Sequence, residues 1–304
     1  LATLRKARAL HPGDTIGIAT PASPIEEEVL ASGETLIRAL GFEPRRGECV
    51  TARCGYLAGD DESRARELMQ LVRDPGVHGI WCARGGYGSQ RILSRLDAAA
   101  FREAAKPLVG YSDITSLLLW QRRVVGLIGI HGPMLEAGLS APLESHRELA
   151  RALTGVGELP RLSGESWVGG WGEGRLTGGS LSLVVASLGT PWEVETRDAI
   201  LMLEEVREQP YRLDRMLHQL SAAGKLGAAA GVGLGDFVGC EPTAAGPSAA
   251  DVLREILVPL GIPVVAGLPF GHGRDNRPWP CGGRAAIDGD RGEIELLDFP
   301  VARR

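Results

Sequence analysis

The sequence predicts an α/β fold. A mostly parallel N-terminal sheet flanked by helices is followed by a second α/β or β-rich C-terminal domain, with a site in the cleft between them. Three observations carry this. Short apolar runs alternate with amphipathic stretches through the first half, the pattern of βαβ units. Glycine is abundant, 42 of 304 residues, about twice the usual share of roughly 7%, and it falls mainly at the ends of apolar runs. The texture then changes near residues 154–180, where glycines crowd around Trp167 and Trp171.

In chain order, Asp14 to Thr20 reads as an apolar strand closed by Pro21-Ala22-Ser23-Pro24. Glu26 to Leu40 follows as a helix with Val29, Leu30, Leu36, Ile37 and Leu40 on one face. Asp61 to Arg73 is helical. Gly79 to Ala83 is a buried strand that runs into the loop Arg84-Gly85-Gly86-Tyr87-Gly88. Ser89 to Leu96 is the next helix, Pro107 to Tyr111 the next strand, and Ser116 to Trp120 has the leucines of a buried helix. The N-terminal domain is set at 1–155, a Gly/Trp-rich linker at 156–175 and the C-terminal domain at 176–304. In that second domain Ala199 to Glu204, Val232 to Phe237, Val264 to Leu268 and Ala286 to Leu297 read as strands. Tyr211 to Leu220 and Ala249 to Leu257 read as helices, the latter capped by Ser248. Ligands of such sheets sit at the carboxyl ends of the strands.

Composition narrows the function. Hydrophobic residues at 44% and charged residues at 23% suit a soluble enzyme, and a formal charge of −5 favours neither nucleic acid nor an anionic membrane as partner. No apolar run approaches the roughly 18 residues of a membrane span. Five scattered cysteines without a Cys-x-x-Cys pattern suit free thiols in a reducing compartment. Leu1 to Pro12 lacks the apolar core of a signal peptide, so the cytoplasm is the expected location. Neither a metal nor a cofactor is called for: there is no His-Glu-x-x-His, and the Arg84 loop lacks a Gly-Lys-Ser/Thr ending.

The chemistry-bearing segment is Gly110-Tyr111-Ser112-Asp113-Ile114-Thr115. A strand that turns sharply into a helix through a small residue exposes that side chain at the sheet edge, beside the free N–H groups of the helix start. That suits a nucleophilic Ser112. The same residues also suit a plain helix cap. A serine nucleophile needs a base and an orienting acid. Of six histidines, His131 and His272 both follow apolar strands and precede glycine, and either could reach the cleft. His146 and His218 read as surface residues, and His78 precedes a strand. Glu204 and Glu205 end an apolar strand and, by strand alternation, point to opposite faces.

Together and in this order, these segments resemble the LD-carboxypeptidase family of serine peptidases, the group that includes muramoyltetrapeptide carboxypeptidases. The matching stretches are Gly13-Asp14-Thr15-Ile16, Arg84 to Ser89, Gly110 to Thr115 and His131-Gly132-Pro133-Met134 in the first half. In the second they are Leu203 to Val206, Tyr211 to Met216, Gly235-Asp236-Phe237 and Pro269 to Gly273. One departure is Ser180, in Gly178-Gly179-Ser180-Leu181, where the family usually carries Asn.

The resemblance implies Ser112 as nucleophile, Glu204 as acid and His272 as base, with His131 left to a cleft-lining or structural role. It implies the N–H groups of Gly86 and Asp113 as oxyanion donors. Arg84 is the expected clamp on a substrate carboxylate. The implied activity is release of the terminal D-alanine from an L,D-linked murein tetrapeptide during cell-wall recycling, by a homodimer. Two rivals stand beside it. One is hydrolysis of peptide–nucleotide antibiotic conjugates of the microcin C type, with the tryptophans near residue 170 stacking on a nucleobase. The other is a non-catalytic protein that binds cell-wall peptides.

Overall fold

Alternating strands and helices build two main sheets in this chain, described by a computed structural model for residues 4–140, 142–243 and 245–302. Residues 1–3 of the segment read for a leader lie outside the described residues. The first sheet has six strands, in the order Trp279–Cys281, Gly129–His131, Leu108–Gly110, Gly79–Cys82, Thr15–Ala19 and Glu43–Arg46. All its pairs are parallel except the antiparallel edge formed by Trp279–Cys281. Helices Glu27–Ala39 and Asp61–Arg73 cover it; the first buries Leu30, Leu36 and Ile37 of the face that the spacing predicts, and the second buries Leu68, Leu71 and Val72. The second sheet has eight strands. Trp171–Ser180, Ala199–Val206, Gly231–Val238 and Val264–Ala266 form its parallel centre, and antiparallel strands flank them.

The two sheets share one core. Ile114 and Leu117, beside the Ser112 turn, belong to the same buried cluster as Ile200, Met202, Leu268 and Phe270 of the second sheet. Leu201 and Leu203, on the other face of that strand, pack instead with Leu181, Leu213 and Leu217. Strand Ala199–Val206 is therefore buried on both faces, as central parallel strands are.

Three sequence expectations are corrected. The stretch 156–175 is no linker: it carries strands Arg161–Ser163 and Glu165–Val168 and the start of Trp171–Ser180. Its glycines serve close strand packing, since a Cβ at Gly164, Gly172 or Gly174 would run into a neighbouring backbone carbonyl. Residues 176–304 do not stay within one domain, because Trp279–Cys281 returns to the first sheet and Val301–Ala302 pairs with Ala7–Arg8. Ala286 to Leu297 is a hairpin, Arg284–Asp288 against Glu293–Leu296. Glycines 289 and 292 turn it, the latter at φ +68°.

Candidate active site

Ser112 stands where strand Leu108–Gly110 breaks into the short turn Ser112–Ile114 and then helix Thr115–Trp120. Its φ of +57° lies in the left-handed region that L-residues avoid. Strain of this kind persists only where the surroundings impose it. Gly110 permits the turn, because a Cβ there would sit 2.6 Å from Ile114 Cγ2. Gly85 lies directly on the serine, and a Cβ on it would meet Ser112 Cβ at 3.0 Å.

The glycine loop is held from three sides. Ser23 N–H donates to Gly85 O at 3.0 Å, and Ser23 Oγ accepts from Tyr87 N–H at 3.2 Å. The fully buried Arg64 guanidinium donates to Gly88 O at 2.9 Å and to Pro21 O. The Asp113 carboxylate accepts from Ser89 N–H at 2.8 Å, and its backbone carbonyl accepts from Ser89 Oγ–H at 2.6 Å. Asp113 thus ties the serine turn to the loop that carries Gly86. Gly86 is at φ +89°, and its N–H donates to nothing among the described residues.

His272 and Glu204 come from the second sheet. His272 Nε2 is 3.0 Å from Ser112 Oγ, and its Nδ1 is 2.6 Å from Glu204 Oε2. An ionised carboxylate only accepts, so Nδ1 carries the proton and Nε2 is left to accept from the serine hydroxyl. Glu204 is fully buried, and Glu205 is nearly so. Strand alternation separates them. Glu205 accepts from Ser182 N–H at 2.7 Å and Ser180 Oγ at 3.4 Å, on the far side from the imidazole. A bulge lies opposite Glu204: the pairing passes from Leu203↔Leu234 to Glu205↔Phe237, so that Gly235 and Asp236 together oppose Glu204, one residue more than the ladder needs. Asp236 uses it to accept from Gly273 N–H at 3.1 Å, which steadies the His272 loop.

Burial pushes the Glu204 carboxyl up, while the His272 hydrogen bond pulls it back. Burial pulls His272 down, but the hydrogen bond and charge of Glu204, with Glu205 and Glu136 behind them, leave it above its ordinary value. His131 is different. It is fully buried and stacked on Trp279 at 4.5 Å, and burial pushes its pKa down to about 3. It is a neutral core ring.

Arg84 is already engaged: Nε lies 3.3 Å from Glu136 Oε2 and Nη1 donates to Pro24 O at 3.0 Å. A substrate carboxylate clamped there would share the guanidinium with the Glu136 carboxylate. His146, expected on the surface, is buried with Nε2 3.2 Å from Gly138 O. His218 is exposed beside Asp214. Among the described residues no cluster of three or more His, Cys, Asp or Glu side chains is spaced to hold a metal ion.

Comparison with known proteins matches the chain in two parts. Residues 16–132 match the family model for the LD-carboxypeptidase N-terminal domain, and residues 173–287 match that for its C-terminal domain. The chain belongs to the LD-carboxypeptidase family. It is 36% identical to the murein tetrapeptide carboxypeptidase of Pseudomonas aeruginosa, over 91% of this chain and 94% of that one. The muramoyltetrapeptide carboxypeptidase from Oxalobacter formigenes has a similar structure, with a TM-score of 0.85 at 29% identity, covering 94% of this chain and 100% of that chain. The microcin C7 self-immunity protein MccF, solved with aspartyl sulfamoyl adenosine, gives 0.89 at 26%, covering 98% and 100%.

Sequence reasoning about this LD-carboxypeptidase family member missed Ser23, Arg64 and Ser89 as supports of the glycine loop. Ser89 ends the recognised Arg84 to Ser89 stretch but was given no role; nothing in the sequence marks Ser23 or Arg64, since an arginine on an amphipathic helix reads as a surface charge. Asp236 stood in a motif that was recognised, but without a role. Ser180, the departure from the family pattern, donates its N–H to Thr115 Oγ1 at 3.1 Å and so joins the second sheet to the serine's own helix.

Proposed function

We propose that this chain is a serine carboxypeptidase that releases the terminal D-alanine from L,D-linked murein tetrapeptides in cell-wall recycling. The observation that carries the reading is the linked trio Ser112 Oγ, His272 Nε2 and Nδ1, and Glu204 Oε2, at 3.0 and 2.6 Å. Ser112 Oγ attacks the scissile carbonyl while neutral His272 takes its proton at Nε2. Glu204 keeps the imidazole in the reactive tautomer and stabilises the imidazolium that forms. The oxyanion lies against the N–H groups of Gly86 and Asp113, each such donor being worth about 10²–10³ in rate. His272 then protonates the departing amine. Water, deprotonated by the same nitrogen, cleaves the acyl-enzyme and restores Ser112.

The murein substrate draws its support from the Pseudomonas aeruginosa and Oxalobacter formigenes relatives. The likeness to MccF supports the second reading, cleavage of an aminoacyl sulfamoyl nucleotide. Against it, Trp171 begins the strand that Ser180 ends. Nine residues at about 3.3 Å each put it roughly 30 Å from the Glu204 end. Trp167, meanwhile, is covered by the Arg254 guanidinium at 3.9 Å. Trp171 is not placed to stack on a base beside Ser112 of its own chain. A cytoplasmic homodimer belongs to the same proposal, tested by sedimentation and fractionation. Among the described residues no helix is long and apolar enough to cross a membrane.

The experiment is turnover of a murein tetrapeptide against an aminoacyl sulfamoyl adenosine, with D-alanine release as the readout for the first. Fluorophosphonate labelling of the parent that is lost in Ser112→Ala separates both from a silent binding protein.

A further inference from the structure

A carboxypeptidase must tell a chain end from an internal bond, and a free carboxylate marks that end. Arg84 is the less suited of two cations to read it, since its charge is already paired with Glu136 and its Nη1 donates to the Pro24 carbonyl. A second cation, Arg274, stands two residues after His272. Beside His272 lies a pocket of about 250 Å³, lined by Tyr111, Pro133, Gly271, Gly273, Arg274 and Asn276. Ligand sites for drug-sized molecules run to roughly 300–1,000 Å³, so this one has room for a single small residue.

Arg274 is the only charged residue among those described as lining it. The neighbouring charges of the same loop are taken: Asp275 accepts from Ser145 Oγ, and Arg277 pairs with Glu148. Arg274 itself is exposed and makes no hydrogen bond or ion pair among the described residues. Its fork of donors is open to a carboxylate.

The pocket also lies on the correct side of the reaction. Resting on the carboxypeptidase reading above, the departing nitrogen must lie where His272 Nε2 can protonate it. Gly271 and Gly273, which flank His272, line the pocket, and so does Tyr111, the residue before Ser112. Tyr111 closes the wall, with its ring 4.9 Å from the imidazole. We propose that this pocket receives the departing residue and that Arg274 grips its free carboxylate through two N–H groups. Arg274 is then the residue that makes the enzyme specific for chain ends.

The test separates this claim from the parent activity. Dissociation constants are measured by calorimetry for a tetrapeptide acid and its C-terminal amide, on Ser112→Ala and on the same protein carrying Arg274→Ala, Arg274→Lys or Arg84→Ala. The expected result is binding of the acid weakened about tenfold or more by Arg274→Ala, the amide changed less than about twofold, and partial recovery with lysine. Equal weakening of acid and amide, no weakening, no binding of the acid at all, or an acid-selective loss in Arg84→Ala alone would overturn it. Failure of the parent to release D-alanine would strike the proposed function instead. Melting temperatures of each variant verify the fold.

Discussion

His272 Nε2 and Ser112 Oγ lie 3.0 Å apart although 160 residues separate them in the chain. Neither sheet makes this contact alone. Ser112 opens the turn after a strand of the six-stranded sheet, and Glu204, the partner of His272, belongs to the eight-stranded one. The seating of one sheet on the other therefore decides the geometry. The Ser180–Thr115 hydrogen bond and the shared core around Ile114, Ile200 and Met202 hold it.

The two adjacent glutamates should behave unlike each other. Glu204 faces the imidazole, whereas Glu205 caps the helix that starts at Leu181. Glu204→Gln is expected to lower the plateau of kcat/KM by about 10³–10⁴. Glu205→Gln should stay within about tenfold of the parent and lose stability instead, of order 1–2 kcal/mol for a buried cap. Steady-state kinetics and denaturant melts on both variants check this.

The acid limb of the pH profile follows from His272. Its pKa is raised above the ordinary 6.5, with Glu204 outweighing burial. The base must be neutral, so kcat/KM should fall as pH drops through a value above 6.5. Removing the Glu204 charge leaves burial, which lowers the pKa and is the largest influence, opposed only by the weaker pull of Glu205 and Glu136. The limb of Glu204→Gln should therefore move to lower pH. A limb that moves upward, or stays in place, contradicts the assignment.

Strain at Ser112 predicts a trade between stability and activity. At φ +57° a Cβ is disfavoured by about 1 kcal/mol. Ser112→Gly and Ser112→Ala should both lose hydrolysis, but the glycine variant should melt about 2 °C or more above the alanine variant. Differential scanning calorimetry distinguishes them.

Asp113 is expected to act on rate through the loop it holds. Asp113→Ala leaves the buried Ser89 N–H without its acceptor, which costs about 1–3 kcal/mol. It should lower kcat more than it changes KM, because the Gly86 amide shifts relative to the developing oxyanion. An unchanged kcat would separate the glycine loop from the oxyanion.

Much of this arrangement is legible in the sequence, for a physical reason. Ser112 and His272 both follow apolar strands and sit among glycines, the pattern of side chains presented at a sheet edge. Glu204 and Glu205 are indistinguishable by pattern until the faces of their strand are known. Residues 156–175 mislead because glycine serves close strand packing as readily as a loop. Arg64 and His146 mislead in the opposite way. Both lie on polar-looking helix faces that pack inward, and only tertiary structure reveals it. Arg84 has the right residue type in the right loop, but a neighbour 52 residues away, Glu136, occupies it.

The central claim is that Ser112, His272 and Glu204 act as one unit across two sheets, and non-additivity measures that directly. D-alanine release from a murein tetrapeptide is compared for Ser112→Ala, His272→Ala, Glu204→Ala and the triple variant. The account predicts that Ser112→Ala and His272→Ala each lose about as much as the triple, of order 10⁶ in kcat. Losses that multiply independently, or a Ser112→Ala enzyme that keeps releasing D-alanine, would contradict it.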